Sequence, residues 1–150
     1  MRKTFVMRGQ TASGETEVLN FGKYKQGYAY VMTEFVLYPS TGIGSALNEL
    51  CGTITAGKTA VAPTDPNFNN DGLIAVALST QYSSPAYPPS FRSVVNDTYV
   101  ITQNLILMVQ DTDASGSQDP INWQCRFESV KMSGAEEASV NYKQFAISDE

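Results

Sequence analysis

Ile121-Asn122-Trp123-Gln124-Cys125-Arg126-Phe127-Glu128 alternates apolar and polar side chains without interruption. Successive side chains on a strand point to opposite faces, so Ile121, Trp123, Cys125 and Phe127 form a dry face. Asn122, Gln124, Arg126 and Glu128 form a wet one. The strand is read over 121–132. A second alternating segment covers 98–109, with Tyr99, Ile101, Leu105 and Leu107 on one face and Thr102 and Asn104 on the other. The polar segment 111–120 joins the two. Two alternating runs with a turn-rich connection predict an antiparallel hairpin.

The same pattern recurs along the chain. Residues 2–8 alternate, residues 9–14 are a turn, and residues 15–21 resume, which predicts another hairpin. Residues 28–38 make the longest aromatic-rich strand. Strict alternation puts Ala29, Val31, Phe35 and Leu37 on one face, and Tyr28, Tyr30, Met32, Glu34, Val36 and Tyr38 on the other. Residues 49–55 and 73–79 are shorter strands. Residues 63–72 and the proline-rich 81–90 read as loops. At the C-terminus, Ser133 followed by Glu136 matches a capping box. Ala135, Ala138, Tyr142 and Phe145 follow at helical spacing, which predicts a short helix. A strand reading over Val140, Tyr142 and Gln144 competes with it.

Seven or eight short strands with regular turn signals predict one mainly β domain over residues 1–150. The expected architecture is an antiparallel β-sandwich of jelly-roll type with a short C-terminal helix. A chain of 150 residues needs no disulfide or metal to fold. Cys51 and Cys125 both lie in apolar runs, where a thiol behaves as a small hydrophobe. Whether they pair is left open.

The net charge of −5 argues against a general nucleic-acid binder. Arg2, Lys3, Arg8, Lys23 and Lys25 nevertheless crowd the first 25 residues, which reads either as a basic N-terminal hairpin facing an acidic partner or nucleic acid, or as solvated side chains on an edge. Residues 1–10 do not read as a secretion signal, and no apolar run approaches the ~20 residues that span a bilayer. A cytoplasmic site of synthesis is expected.

The chain contains no histidine. That removes Ser-His-Asp and Cys-His hydrolases, histidine-based zinc sites and histidine pH switches. Gly42-Ile43-Gly44 is not a dinucleotide fingerprint, because Leu47 stands where its third glycine is needed. Gly57-Lys58-Thr59 lacks the upstream glycine of a phosphate loop. No cofactor is expected.

Three constellations remain. Asp111-Thr112-Asp113-Ala114-Ser115-Gly116 resembles the first half of a calcium loop, with Asp119 at the ninth position. Asn122 stands where the bidentate glutamate should be, and a polar turn accounts for the same residues. Glu34 and Glu128 are a candidate acid–base pair, since glycoside hydrolysis needs two carboxylates about 5–9.5 Å apart. Tyr30, Glu34 and Tyr38 suggest a carbohydrate-binding sheet face. Among the eight tyrosines, Tyr28, Tyr30, Tyr82 and Tyr87 are candidate interface residues, because tyrosine is large and apolar with a polar tip.

The run Asn96-Asp97-Thr98-Tyr99-Val100-Ile101-Thr102-Gln103-Asn104-Leu105, its following loop and the run 121–128 resemble small virion structural proteins of tailed marine bacteriophages. The resemblance implies a capsid or decoration-type subunit that self-associates or binds other capsid proteins. It also implies residence in the virion after synthesis in the host cytoplasm, with no enzyme activity and no membrane or nucleic-acid partner. A carbohydrate-binding β-sandwich module is the alternative reading.

Overall fold

The computed structural model describes residues 3–21, 28–43, 47–57, 59–82, 88–113 and 119–131. The predicted C-terminal helix lies outside them. Among the described residues there is no helix, and eight strands form two antiparallel sheets. They are β1 (Thr4–Thr11), β2 (Thr16–Leu19), β3 (Tyr28–Pro39), β4 (Asn48–Ala56), β5 (Leu73–Gln81), β6 (Ser90–Val95), β7 (Leu105–Asp111) and β8 (Ile121–Lys131). One sheet has the order β1-β8-β3 and the other β2-β7-β4-β5-β6.

Both predicted hairpins are corrected by this pairing. β8 pairs with β1 and β3, while β7 pairs with β2 and β4. β7 and β8 therefore lie in different sheets, as do β1 and β2. The β1–β2 turn is anchored to β7 by Gly14 N–H to Val109 O at 2.8 Å. Alternation reports that each strand has a dry face. It does not report whether two dry faces lie side by side or look at one another. Here they look at one another, because Leu105, Leu107 and Val109 of β7 and Ile121, Trp123, Cys125 and Phe127 of β8 belong to one core.

That core is closed by Phe35, Leu37 and Met32 from β3, Leu50 and Ile54 from β4, and Ile74, Ala75 and Ala77 from β5. The sheets approach closely at Gly52. A Cβ there would lie 3.2 Å from atoms of both Leu37 and Phe35. One end of the core is plugged by the rings of Phe5, Phe21, Tyr30 and Phe127, with centroids 5.0–6.3 Å apart.

Strict alternation fails in β3. Met32 pairs with Phe127 and Glu34 with Arg126, so Thr33 is an extra residue in a β-bulge. Its hydroxyl donates to Arg126 O at 3.4 Å. The bulge inverts the phase. Tyr30 and Met32 face inward before it and Phe35 and Leu37 after it, while Val31, Glu34, Val36 and Tyr38 share the outer face.

Two boundaries also differ from expectation. Strand β7 begins at Leu105, not at residue 98. Residues 96–98 form a turn in which Asn96 Oδ1 accepts from Thr98 N–H and Oγ1 at 3.1 and 2.6 Å. Ile101 instead bridges Tyr30 through two backbone hydrogen bonds. Strand β6 lies where no strand was expected. It is an edge strand with mostly exposed side chains, so it lacks a buried stripe.

Candidate functional site

The outer face of the three-stranded sheet gathers a set of polar side chains with a defined geometry. Antiparallel register lays them out in rows across β1, β8 and β3. Arg8 stands beside Gln124 and Val36, and Gln10 stands beside Asn122 and Tyr38. These six side chains surround a depression of about 570 Å³, floored by the strands at Gly9 and Trp123. Gly9 is required there, because a Cβ would lie 2.9 Å from Trp123 Cζ2. The indole is fixed from the other side, where Nε1 donates to Thr11 Oγ1 at 2.9 Å.

The amides are oriented by their neighbours. Gln10 Nε2 donates to Asn122 Oδ1 at 2.9 Å, and Asn122 Nδ2 donates to Pro39 O at 3.3 Å. Gln124 Nε2 donates to Glu34 Oε1 at 3.4 Å. The Tyr38 ring is stacked on Phe91 of β6, with centroids 5.7 Å apart and an interplanar angle of 8°. Tyr38 nevertheless stays 48% exposed. Arg8 makes no hydrogen bond or ion pair with any described residue.

The other candidates are distributed as follows. Tyr30 is turned into the aromatic plug, so Tyr30, Glu34 and Tyr38 do not form a common face. Glu34 and Glu128 both lie on the outer face, but Glu34 is opposite Arg126 and Glu128 opposite Val31, one row away. Tyr28 and Tyr30 occupy the opposite end of the molecule from Tyr82, which follows β5. Tyr87 lies outside the described residues.

Asp111 is buried, and its carboxylate is engaged by the chain itself. Oδ1 accepts from Glu49 N–H at 3.2 Å and Asp113 N–H at 3.0 Å, while Asp111 N–H donates to Ser13 Oγ at 2.9 Å. Asp113 and Asp119 flank residues 114–118, which are outside the described set. Among the described residues no group of three or more acidic or cysteine side chains is placed to hold a metal ion.

Cys51 and Cys125 are both free and buried. Burial, reinforced by the Asp111 carboxylate, pushes the Cys51 thiol up to about 11. Burial, with a smaller contribution from Glu34, pushes Cys125 higher still. Neither thiol has the lowered pKa of a nucleophilic cysteine. No described helix is long and apolar enough to cross a membrane.

No protein-family model matches the chain, and no curated protein matches it. The polar half of the depression was visible in the sequence as the wet face of residues 122–128. Arg8 and Gln10 had no such signal, because only the β1–β8 pairing brings them alongside.

Proposed function

We propose that this chain is a non-enzymatic virion structural protein of jelly-roll type that self-associates or docks onto a capsid lattice. The observation that carries the reading is the strand order. β1 pairs with β8 and β2 with β7, so the first and last described strands lie side by side, and the chain changes sheet between β1 and β2, β2 and β3, β3 and β4, and β7 and β8. The β1–β8 and β2–β7 pairings are shared with the jelly roll, an architecture found in viral capsid and lectin domains, and support the reading. One strand departs from the pattern. β6 would complete the sheet beside β3, yet it pairs with β5 and only packs against β3.

Exposed apolar side chains support assembly as the role. Leu78 and Val94 on the outer side of β5–β6 are 51% and 55% exposed, and Phe68 beside Val94 is 65% exposed. Clustered apolar surface of this kind marks interaction sites. The edges of β1, β2 and β6 add strand surface of the type that pairs with other chains. Multi-angle light scattering of the purified chain tests the reading. A defined oligomer is expected, and Leu78→Glu with Val94→Glu should dissociate it without lowering the melting temperature. A wild-type protein that stays monomeric at all concentrations would overturn self-association.

A further inference from the structure

We propose that the depression on the outer face of the three-stranded sheet binds a saccharide, one pyranose ring lying against Tyr38 with its hydroxyls held by Gln10, Gln124 and Arg8. A pyranose offers a C–H face and a rim of hydroxyls. The depression offers the complementary pair: an exposed aromatic ring on one side, and planar amides with a guanidinium on the other. Its volume of about 570 Å³ falls within the usual range for small-ligand sites.

Other occupants fit less well. A peptide added as a strand needs an open sheet edge, whereas here the central strand β8 is paired on both sides. Nucleic acid needs several cations, and Arg8 is the single charged residue in the lining. A wholly apolar ligand would cover Gln10 Oε1, Gln124 Oε1 and the Arg8 guanidinium without hydrogen-bonding them.

The groups are also held in place before any ligand arrives. The Tyr38 ring is backed by Phe91, and the Gln10–Asn122–Pro39 and Gln124–Glu34 hydrogen bonds fix the amides. Gln10 Oε1, Gln124 Oε1 and the Arg8 guanidinium stay available for hydroxyls or a sugar carboxylate. Such preorganisation lowers the entropic cost of binding. The depression is lined by β1, β8 and β3. Leu78 adjoins Val36 and Phe91 at its border, whereas Val94 does not, so Val94 separates the test of self-association from that of saccharide binding.

Calorimetric titration of the full chain, at about physiological salt, tests the site with neutral cello-, malto- and chito-oligosaccharides and with acidic oligogalacturonate. Saturable binding of at least one sugar is expected. Tyr38→Ala should weaken it at least about tenfold, Tyr38→Phe should retain it, and Val94→Glu should leave it unchanged. Preference for the acidic sugar, lost in Arg8→Gln, would place a carboxylate on Arg8. Equal binding of both classes would place hydroxyls there. If Tyr38→Ala lowers the melting temperature, Arg8→Gln with Gln10→Ala reads the same site from exposed positions. No binding by any of these sugars, or binding indifferent to all these changes, would overturn the proposal.

Discussion

At the scale of single residues, Gly9 and Trp123 show how one missing side chain sets both packing and surface. The indole occupies the space a Cβ at residue 9 would need, and its N–H is satisfied by Thr11. Gly9→Ala is expected to destabilise the protein by about 1–3 kcal/mol through overpacking, measured by urea unfolding followed by tryptophan fluorescence. Asp111 has a different role, joining β4, the β1–β2 turn and the segment after β7 through its backbone N–H and one carboxylate oxygen. Asp111→Ala leaves two N–H groups without that acceptor and should cost about 1–3 kcal/mol in the same assay.

The buried acids Cys51 and Tyr99 make stability depend on alkaline pH. Burial raises Cys51 to about 11, and burial with the nearby Asp71 carboxylate raises Tyr99 to about 12. Each group has its raised pKa only in the folded state, so above its ordinary pKa the unfolded chain releases the proton first. The stabilising contribution is complete below about pH 8.5 and is lost as pH rises through 11 and 12. Melting temperatures measured from pH 8 to 11 should therefore fall, and Cys51→Ala should flatten the early part of the decline. In native protein at neutral pH both thiols should resist alkylation and react only after unfolding, which mass spectrometry would show directly.

Among the elements, β3 is the most instructive. Strict alternation placed Tyr30 and Met32 with Tyr38, but the extra residue Thr33 moves Tyr30 and Met32 into the core. A bulge changes the phase by one residue and carries no apolar signature, so the faces of β3 could be assigned only from its pairing with β8. Deleting Thr33 removes the extra residue and leaves Met32 opposite Phe127 and Glu34 opposite Arg126, so both halves of β3 keep their faces. A retained cooperative thermal transition is the expected result, whereas inserting a residue between Phe35 and Val36 should turn one half of β3 the wrong way and abolish it. Strand β8 behaved differently. Its alternation runs unbroken from Ile121 to Phe127, and each dry-face residue is buried as expected. It is the central strand of its sheet, so both edges are paired and nothing distorts its period.

Across the whole molecule, the phenylalanines couple the two sheets. Phe127 contacts Phe5 and Phe21 and lies in the core shared by both sheets. Phe127→Ala should cost about 3–5 kcal/mol, several times the effect of an outer-face change such as Gln124→Ala, and equilibrium denaturation would rank them. That contrast also protects the saccharide test. The residues proposed to bind sugar project away from the core, so their removal alters the surface while the sheets stay packed.

The sequence by itself determined that this is a mainly β chain, which strands have dry faces, and which catalytic groups are missing. Alternation is a local property of backbone geometry, and a missing histidine needs no structure to be noticed. Only the tertiary structure decided which strands pair, that β7 and β8 lie in different sheets, where Thr33 inverts the phase, and that Arg8 and Gln10 stand beside Gln124 and Asn122. Those outcomes depend on contacts between residues from tens to more than a hundred positions apart, where the period-two pattern is equally satisfied by several partners. Packing both dry faces into one core selected among them.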